Sequence, residues 1–191
     1  MVRSFVMEKI QWIKKHQAKF HGAKPVVRLR YVSGESHAVW GRPATLMVIP
    51  HAGSPRVHLA DGCLDLRIKT SSTQAQRRAA LDAYYREELR QAIPPLLRQW
   101  EAIIGVRVAE FGIKKMRTRW GTCNIRTRKI WVNLELAKRS PRCLTFIIVH
   151  ELTHLLEKRH NARFYAFMDR FLPDWREIKT ELNGSKIVGV D

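Results

Sequence analysis

The sequence predicts an α+β fold: a β-hairpin-rich N-terminal lobe up to about residue 70, then a helical half over residues 74 to 183. Three observations predict it. Between Val26 and Lys69, short runs of β-like texture (VVRLRYV, HAVWG, TLMVIP, RVHLA, LDLRI) are broken by GRPA, HAGSPR and ADG, whose Gly, Pro and Asp suit tight turns. From Thr73 onward, apolar residues recur at helical spacing. In KIWVNLEL, Ile130, Val132, Leu134 and Leu136 alternate with Lys129, Trp131, Asn133 and Glu135, the period of a strand with one buried face.

In chain order, Val6, Ile10 and Ile13 stand at i, i+4, i+7 among lysines and predict an amphipathic helix over about residues 4 to 19. The closely spaced runs that follow predict an antiparallel meander. Ala79, Leu81, Tyr84, Leu89 and Ile93 predict a helix that Pro94-Pro95 interrupts and Leu96, Leu97 and Trp100 resume, up to Gly105. VRVAEFGIKKMRTRWGTC predicts two short strands ahead of KIWVNLEL. Ser140-Pro141 reads as a helix N-cap and first position, and Asn161 as a second cap before Phe164, Phe167, Met168, Phe171 and Leu172. A last helix is expected from Trp175 to Leu182, stopped by Asn183-Gly184.

Composition narrows the function. The 191 residues are 45% hydrophobic, enough to bury a core as one domain over 1–191, which excludes a disordered tail or a disulfide-stapled miniprotein. Cys63, Cys123 and Cys143 are odd in number and form no C-x-x-C pair, so reduced thiols are expected. The N-terminus holds no secretory apolar stretch, and Leu144 to Val149 is too short to span a bilayer. A soluble cytoplasmic protein with no membrane partner is the expectation. Thirty-five Lys and Arg against 17 Asp and Glu give a formal charge of +18, which points towards polyanions. Seven of these cations fall between Lys114 and Lys129, including Arg117, Arg119, Arg126, Arg128 and Lys129; a nucleic-acid partner is weighed there against an ordinary solvated face.

The chemistry centres on His150-Glu151-Leu152-Thr153-His154. Four residues advance a helix by about one turn, so both imidazoles leave one face and can share an ion. Imidazoles suit zinc, and Glu151 beside them can act as general base on a water at an open coordination position. The neighbouring Ile147, Ile148, Val149, Leu152, Leu155 and Leu156 make the helix a buried one, where polar side chains need partners. A third ligand is sought downstream. His160 would lie about 240° away on a continued helix, so the helix must end near Lys158 for it to return. Glu157, Glu177 and Glu181 are its rivals, and His160 is preferred.

The stretch RTRWGTCN, then IWVNLELAKRSPRCLTFIIVHELTHLLEKRHNARFYAFMDRFLPDWREIKTELN, resembles the YgjP-like (SprT-like) zinc metallopeptidase family. The resemblance implies a zincin-like domain, one zinc per chain on His150, His154 and His160, and Glu151 as catalytic acid/base. The chain begins almost directly at the family's W-I-x-K-x-Q-x-x-F helix, which puts a strand or two in doubt. Trp120 is expected to pack in a turn where Gly121 supplies an unusual backbone angle, or else to line the cleft with Arg117 and Arg119. Trp131 and Asn133 are candidate cleft residues on the polar side of their strand.

The leading expectation is a zinc metallopeptidase acting on a protein or peptide, its extended substrate pairing with KIWVNLEL if that strand is an edge. A metal-dependent UTP pyrophosphohydrolase is the first alternative, opposed by the lack of a Gly-rich phosphate loop. The second is a nucleic-acid-binding protein with a structural zinc. That requires a closed four-ligand site, and Cys143, nearly two helical turns before His150, should not reach.

Overall fold

In the computed structural model, the described residues are Ile10 and 29–184; apart from Ile10, the expected helix over residues 4 to 19 and the start of VVRLRYV lie outside them. The N-terminal lobe is one four-stranded sheet of β1 (Ser36–Val39), β2 (Arg42–Pro50), β3 (Arg56–Ala60) and β4 (Cys63–Ile68). Its order, β1-β2-β4-β3, corrects the expected meander: β4 runs parallel to β2, and β3 lies outside it. The two tight turns do form hairpins. Trp40-Gly41 and Asp61-Gly62 all have positive φ, the geometry that matches the strand twist in two-residue loops. The longer connection between β2 and β3 is what lets the chain cross to the far side of β4. Leu29 to Val32 form no strand; the Arg30 and Tyr31 amides donate instead to the Glu35 carboxylate at 2.7 Å each.

Helix α1 (Gln74–Ile104) opens on a capping box between Thr73 and Gln76 and closes on Gly105 at φ 77°. Pro94 and Pro95 lie inside it without breaking it. Each removes one backbone donor, but the stripe Leu81, Tyr85, Leu89, Ile93, Leu97, Trp100, Ile104 continues through them into the core. That burial outweighs the lost bonds.

A three-stranded sheet follows, from β5 (Glu110–Lys114), β6 (Gly121–Asn124) and β7 (Lys129–Asn133), in the order β5-β7-β6. The alternation in KIWVNLEL holds for the strand only as far as Asn133. There the side-chain Oδ1 accepts from the Glu135 amide at 3.2 Å and turns the chain into a 3-10 segment, Leu134–Lys138. Helices α2 (Pro141–Thr153), α3 (Ala162–Phe171) and α4 (Trp175–Gly184) complete the fold. The Ser140 side chain caps no amide of α2; its hydroxyl donates to Glu181 at 2.5 Å, tying α2 to α4. One continuous hydrophobic core runs from Leu46 and Leu66 of the first sheet through α1 to Ile130, Val132 and the buried side of α2. Among the described residues, no helix is long and apolar enough to cross a membrane.

Candidate metal centre

Nearly every residue of α2 from Cys143 to Thr153 is buried, so its position between the second sheet and α3 and α4 is fixed by packing. The helix ends at Thr153 with His154 as C-cap, one turn earlier than His160 strictly required. The chain turns through residues 154–160, and Asn161 accepts from the Phe164 amide at 3.0 Å to start α3. His160 is thereby returned to the end of α2.

One donor nitrogen from each of His150, His154 and His160 lies within 4.8 Å of the others. The His150 and His160 Nε2 atoms are 3.0 Å apart. Two nitrogens bound to one tetrahedral zinc stand about 3.3 Å apart, so the spacing fits a shared ion. His154 turns its Nδ1 to the Glu157 carbonyl at 3.3 Å, which leaves Nε2 for the cluster. Phe164 forms the floor: its ring centroid is 5.0 Å from that of His150, 4.9 Å from His154 and 4.7 Å from His160. Of the rival ligands, Glu181 is engaged by Ser140, and Glu157 accepts from the Arg159 amide.

The electrostatics favour ligation. Burial, then the charges on His154, His160 and Lys179, pushes the His150 imidazole down to about 3. Burial also lowers His154. Both are therefore neutral donors at pH 7. Glu151, 4% exposed, is pushed up to about 8 by burial, with Arg119 opposing.

Gly121 does not have the unusual backbone angle expected of it; its φ is not positive. It is small because it packs on the carboxylate: a β-carbon there would lie 2.5 Å from Glu151 Oε1 and 2.8 Å from Ile147 Cγ2. The cleft of about 570 Å³ around the triad is lined by Arg119, Trp120 and Gly121 among the sequence candidates. Arg117, Arg126, Arg128, Lys129, Trp131 and Asn133 do not line it. Asn133, wholly buried, organises the approach instead, its Nδ2 donating to the Met116 carbonyl at 2.9 Å and the Arg119 carbonyl at 2.7 Å. Trp120 both borders the cleft and packs, with the Arg139 guanidinium 5.4 Å from its ring. Sequence reasoning missed Lys158 and Lys179 as cleft residues, and it gave Phe164 a place on a helix face and in the family's pattern but no role beneath the histidines. Their sequence neighbourhoods carry no signal of convergence, because each comes from a different element.

A helix presenting imidazoles and a carboxylate within an α+β fold suits metal-dependent hydrolysis, and the family comparison agrees. A family model for the YgjP-like metallopeptidase domain matches residues 1–185, and the chain belongs to that family. No curated protein matches the chain. Among solved structures, it is similar to the metallopeptidase zymogen abylysin of Pyrococcus abyssi, at 18% identity over 47% of this chain and 90% of that one, TM-score 0.44. It is similar also to the metallopeptidase zymogen jannalysin of Methanocaldococcus jannaschii, at 18% identity over 49% of this chain and 88% of that one, TM-score 0.44.

Proposed function

We propose that this metallopeptidase-family protein hydrolyses peptide bonds with one zinc ion held by His150, His154 and His160, and with Glu151 as general base. The observation that carries it is the convergence of three imidazole nitrogens within 4.8 Å beside a buried carboxylate. When bound, zinc polarises a water and the scissile carbonyl. Burial pushes Glu151 up, a cation on the three histidines would favour its ionised form, and that carboxylate takes the water's proton and returns it to the leaving amine nitrogen. Burial within the helix and the contact with Gly121 hold that carboxylate in place. Three donors among the described residues leave a coordination position for substrate, which disfavours a closed structural zinc.

The substrate strand differs from the sequence expectation. β7 is central in its sheet, so KIWVNLEL offers no free edge. Among the described residues, β6 pairs with β7 on one side only and supplies Gly121, Thr122 and Cys123 to the cleft, which supports an extended peptide along β6.

The test is Glu151→Gln. It should retain zinc and lose about 10² to 10⁴ of peptide hydrolysis, since the amide fills the space without accepting a proton. Parental activity on a verified peptide would remove Glu151 as the base. A zinc-loaded parent that hydrolyses UTP and no peptide would replace the peptidase reading.

A second reading concerns the outer face of the β5-β7-β6 sheet, as a nucleic-acid surface. The Lys114 and Lys129 ammonium groups each stand 4.6 Å from the Trp131 ring centroid, and Arg126 and Arg128 lie on the adjoining turn. A basic face with an aromatic at its centre suits a single strand.

A further inference from the structure

The cleft around the triad is cationic well beyond the ion it would hold. Arg119 enters it from the segment before β6, Lys158 from the turn after α2, and Lys179 from α4. All three are exposed. Among the described residues, no Asp or Glu lines the cleft except Glu151, which is 4% exposed and turned to catalysis.

Some cations elsewhere on the molecule are held in ion pairs. Lys115 is held by Asp82 at 3.4 Å and by Glu135 at 3.5 Å, Lys129 by Glu110 at 2.7 Å, and Arg142 by Asp174 at 2.8 Å. The cleft has no such acidic neighbour among its described lining residues. A concave wall of one sign concentrates the field inside it and draws the opposite charge. A divalent ion on the triad adds to that field.

We infer that the cleft selects acidic peptides, those with Asp or Glu flanking the scissile bond, and that Arg119, Lys158 and Lys179 set this specificity. The inference rests on the peptidase reading and names its substrate class. Lys158 and Lys179 are exposed cations of the cleft wall, and the role inferred for them is to attract substrate charge. Their loss should therefore appear in KM more than in kcat.

The experiment uses the full chain with zinc and Glu151→Gln as a non-cleaving receptor. Three fluorescent peptides share one sequence, with Glu, Gln or Lys at the flanking positions. The Glu peptide should bind about tenfold more tightly than the Gln peptide at low salt, with the gap narrowing as ionic strength rises. Adding Lys158→Glu and Lys179→Glu should abolish or invert the preference. Adding Arg67→Glu and Arg98→Glu, which change net charge equally at exposed positions outside the cleft, should leave it intact. Equal binding of Glu and Gln peptides overturns the inference, as does a preference that survives reversal of both lysines or is lost equally in the control. Cleavage separates the two levels. A zinc-loaded parent that prefers acidic peptides in binding yet cuts none overturns the peptidase reading and leaves charge selection standing. Equal cutting of acidic and neutral peptides overturns charge selection alone.

Discussion

Gly121 and Glu151 are in such close approach that a single methyl group on the glycine would lie 2.5 Å from the carboxylate oxygen. The glycine opens β6, which pairs on one side only among the described residues, and the glutamate lies on α2, so the contact sets the distance between the proposed substrate strand and the proposed general base. Gly121→Ala should fold, at a cost of about 1–2 kcal/mol for the overpacked contact. It should keep zinc, because none of the three histidines is touched. Peptide hydrolysis should fall by about 10²-fold, the scale of a 1 Å misplacement of a reacting group. Metal content and kcat/KM measured on one preparation decide the matter: an alanine variant with parental kcat/KM means that the carboxylate does not need this seat.

His160 joins the centre through its loop alone, whereas His150 and His154 are fixed by the helix end. His160→Ala should therefore lose most of the bound zinc while the apo protein stays folded. Elemental analysis of chain purified without added metal should give about one zinc for the parent. Chelation should lower the parent's melting temperature, because an ion that binds only the folded chain stabilises it by mass action. In His160→Ala the chelator should have little effect. Full zinc retention there would hand the third position to another ligand.

Much of this centre was legible because it is local. The spacing from His150 to His154 and the cap at Asn161 are one-dimensional signals, and they bring the three histidines together without knowledge of the sheets. What stayed hidden depends on partners distant in sequence. The alternation of Leu134 and Leu136 prolongs a strand pattern, and only Asn133, bonding back to Met116 and Arg119, ends it. Pro94-Pro95 reads as a break because local propensity counts the missing donors and not the buried stripe on either side. Gly121 looks like a turn residue until Glu151 is brought against it. Lys158 and Lys179 lie well apart in a strongly basic chain and acquire meaning only in a shared cleft.

The outer face of the second sheet should bind single-stranded nucleic acid with little sequence preference. Trp131 lies against Gly112, where a β-carbon would be 2.3 Å from its ring, so the strand pair presents the indole between two lysines. Lys114→Glu with Arg126→Glu should weaken binding to all sequences alike and flatten the salt slope by about 0.7 for each phosphate no longer neutralised. Trp131→Ala should cost single strands more than duplexes. Gel-shift titration at about 50 mM salt reads both effects. Absence of any shift at micromolar parent protein would reduce the charge to a solvated face, and the zinc reading would be untouched.

Acid should weaken the N-terminal lobe through His37. The residue is 4% exposed in β1, and burial lowers its pKa below the ordinary histidine value. Glu35, 3.6 Å from Nε2, opposes that shift; Lys138 adds to it; the Tyr31 ring packs at 5.6 Å. Because the folded pKa is the lower one, the unfolded chain binds more protons between that value and about 6.5. Stability is therefore complete above about 6.5 and falls as pH drops through about 6.5 towards the folded value. His37→Gln removes this titration, so its urea midpoint should change less than the parent's between about pH 7.5 and about pH 5.5. Measuring both chains with saturating zinc keeps the metal centre's own pH response common to the two. Parallel loss of stability in parent and variant would show that His37 is protonated at no cost to the fold, and that the acid response lies elsewhere.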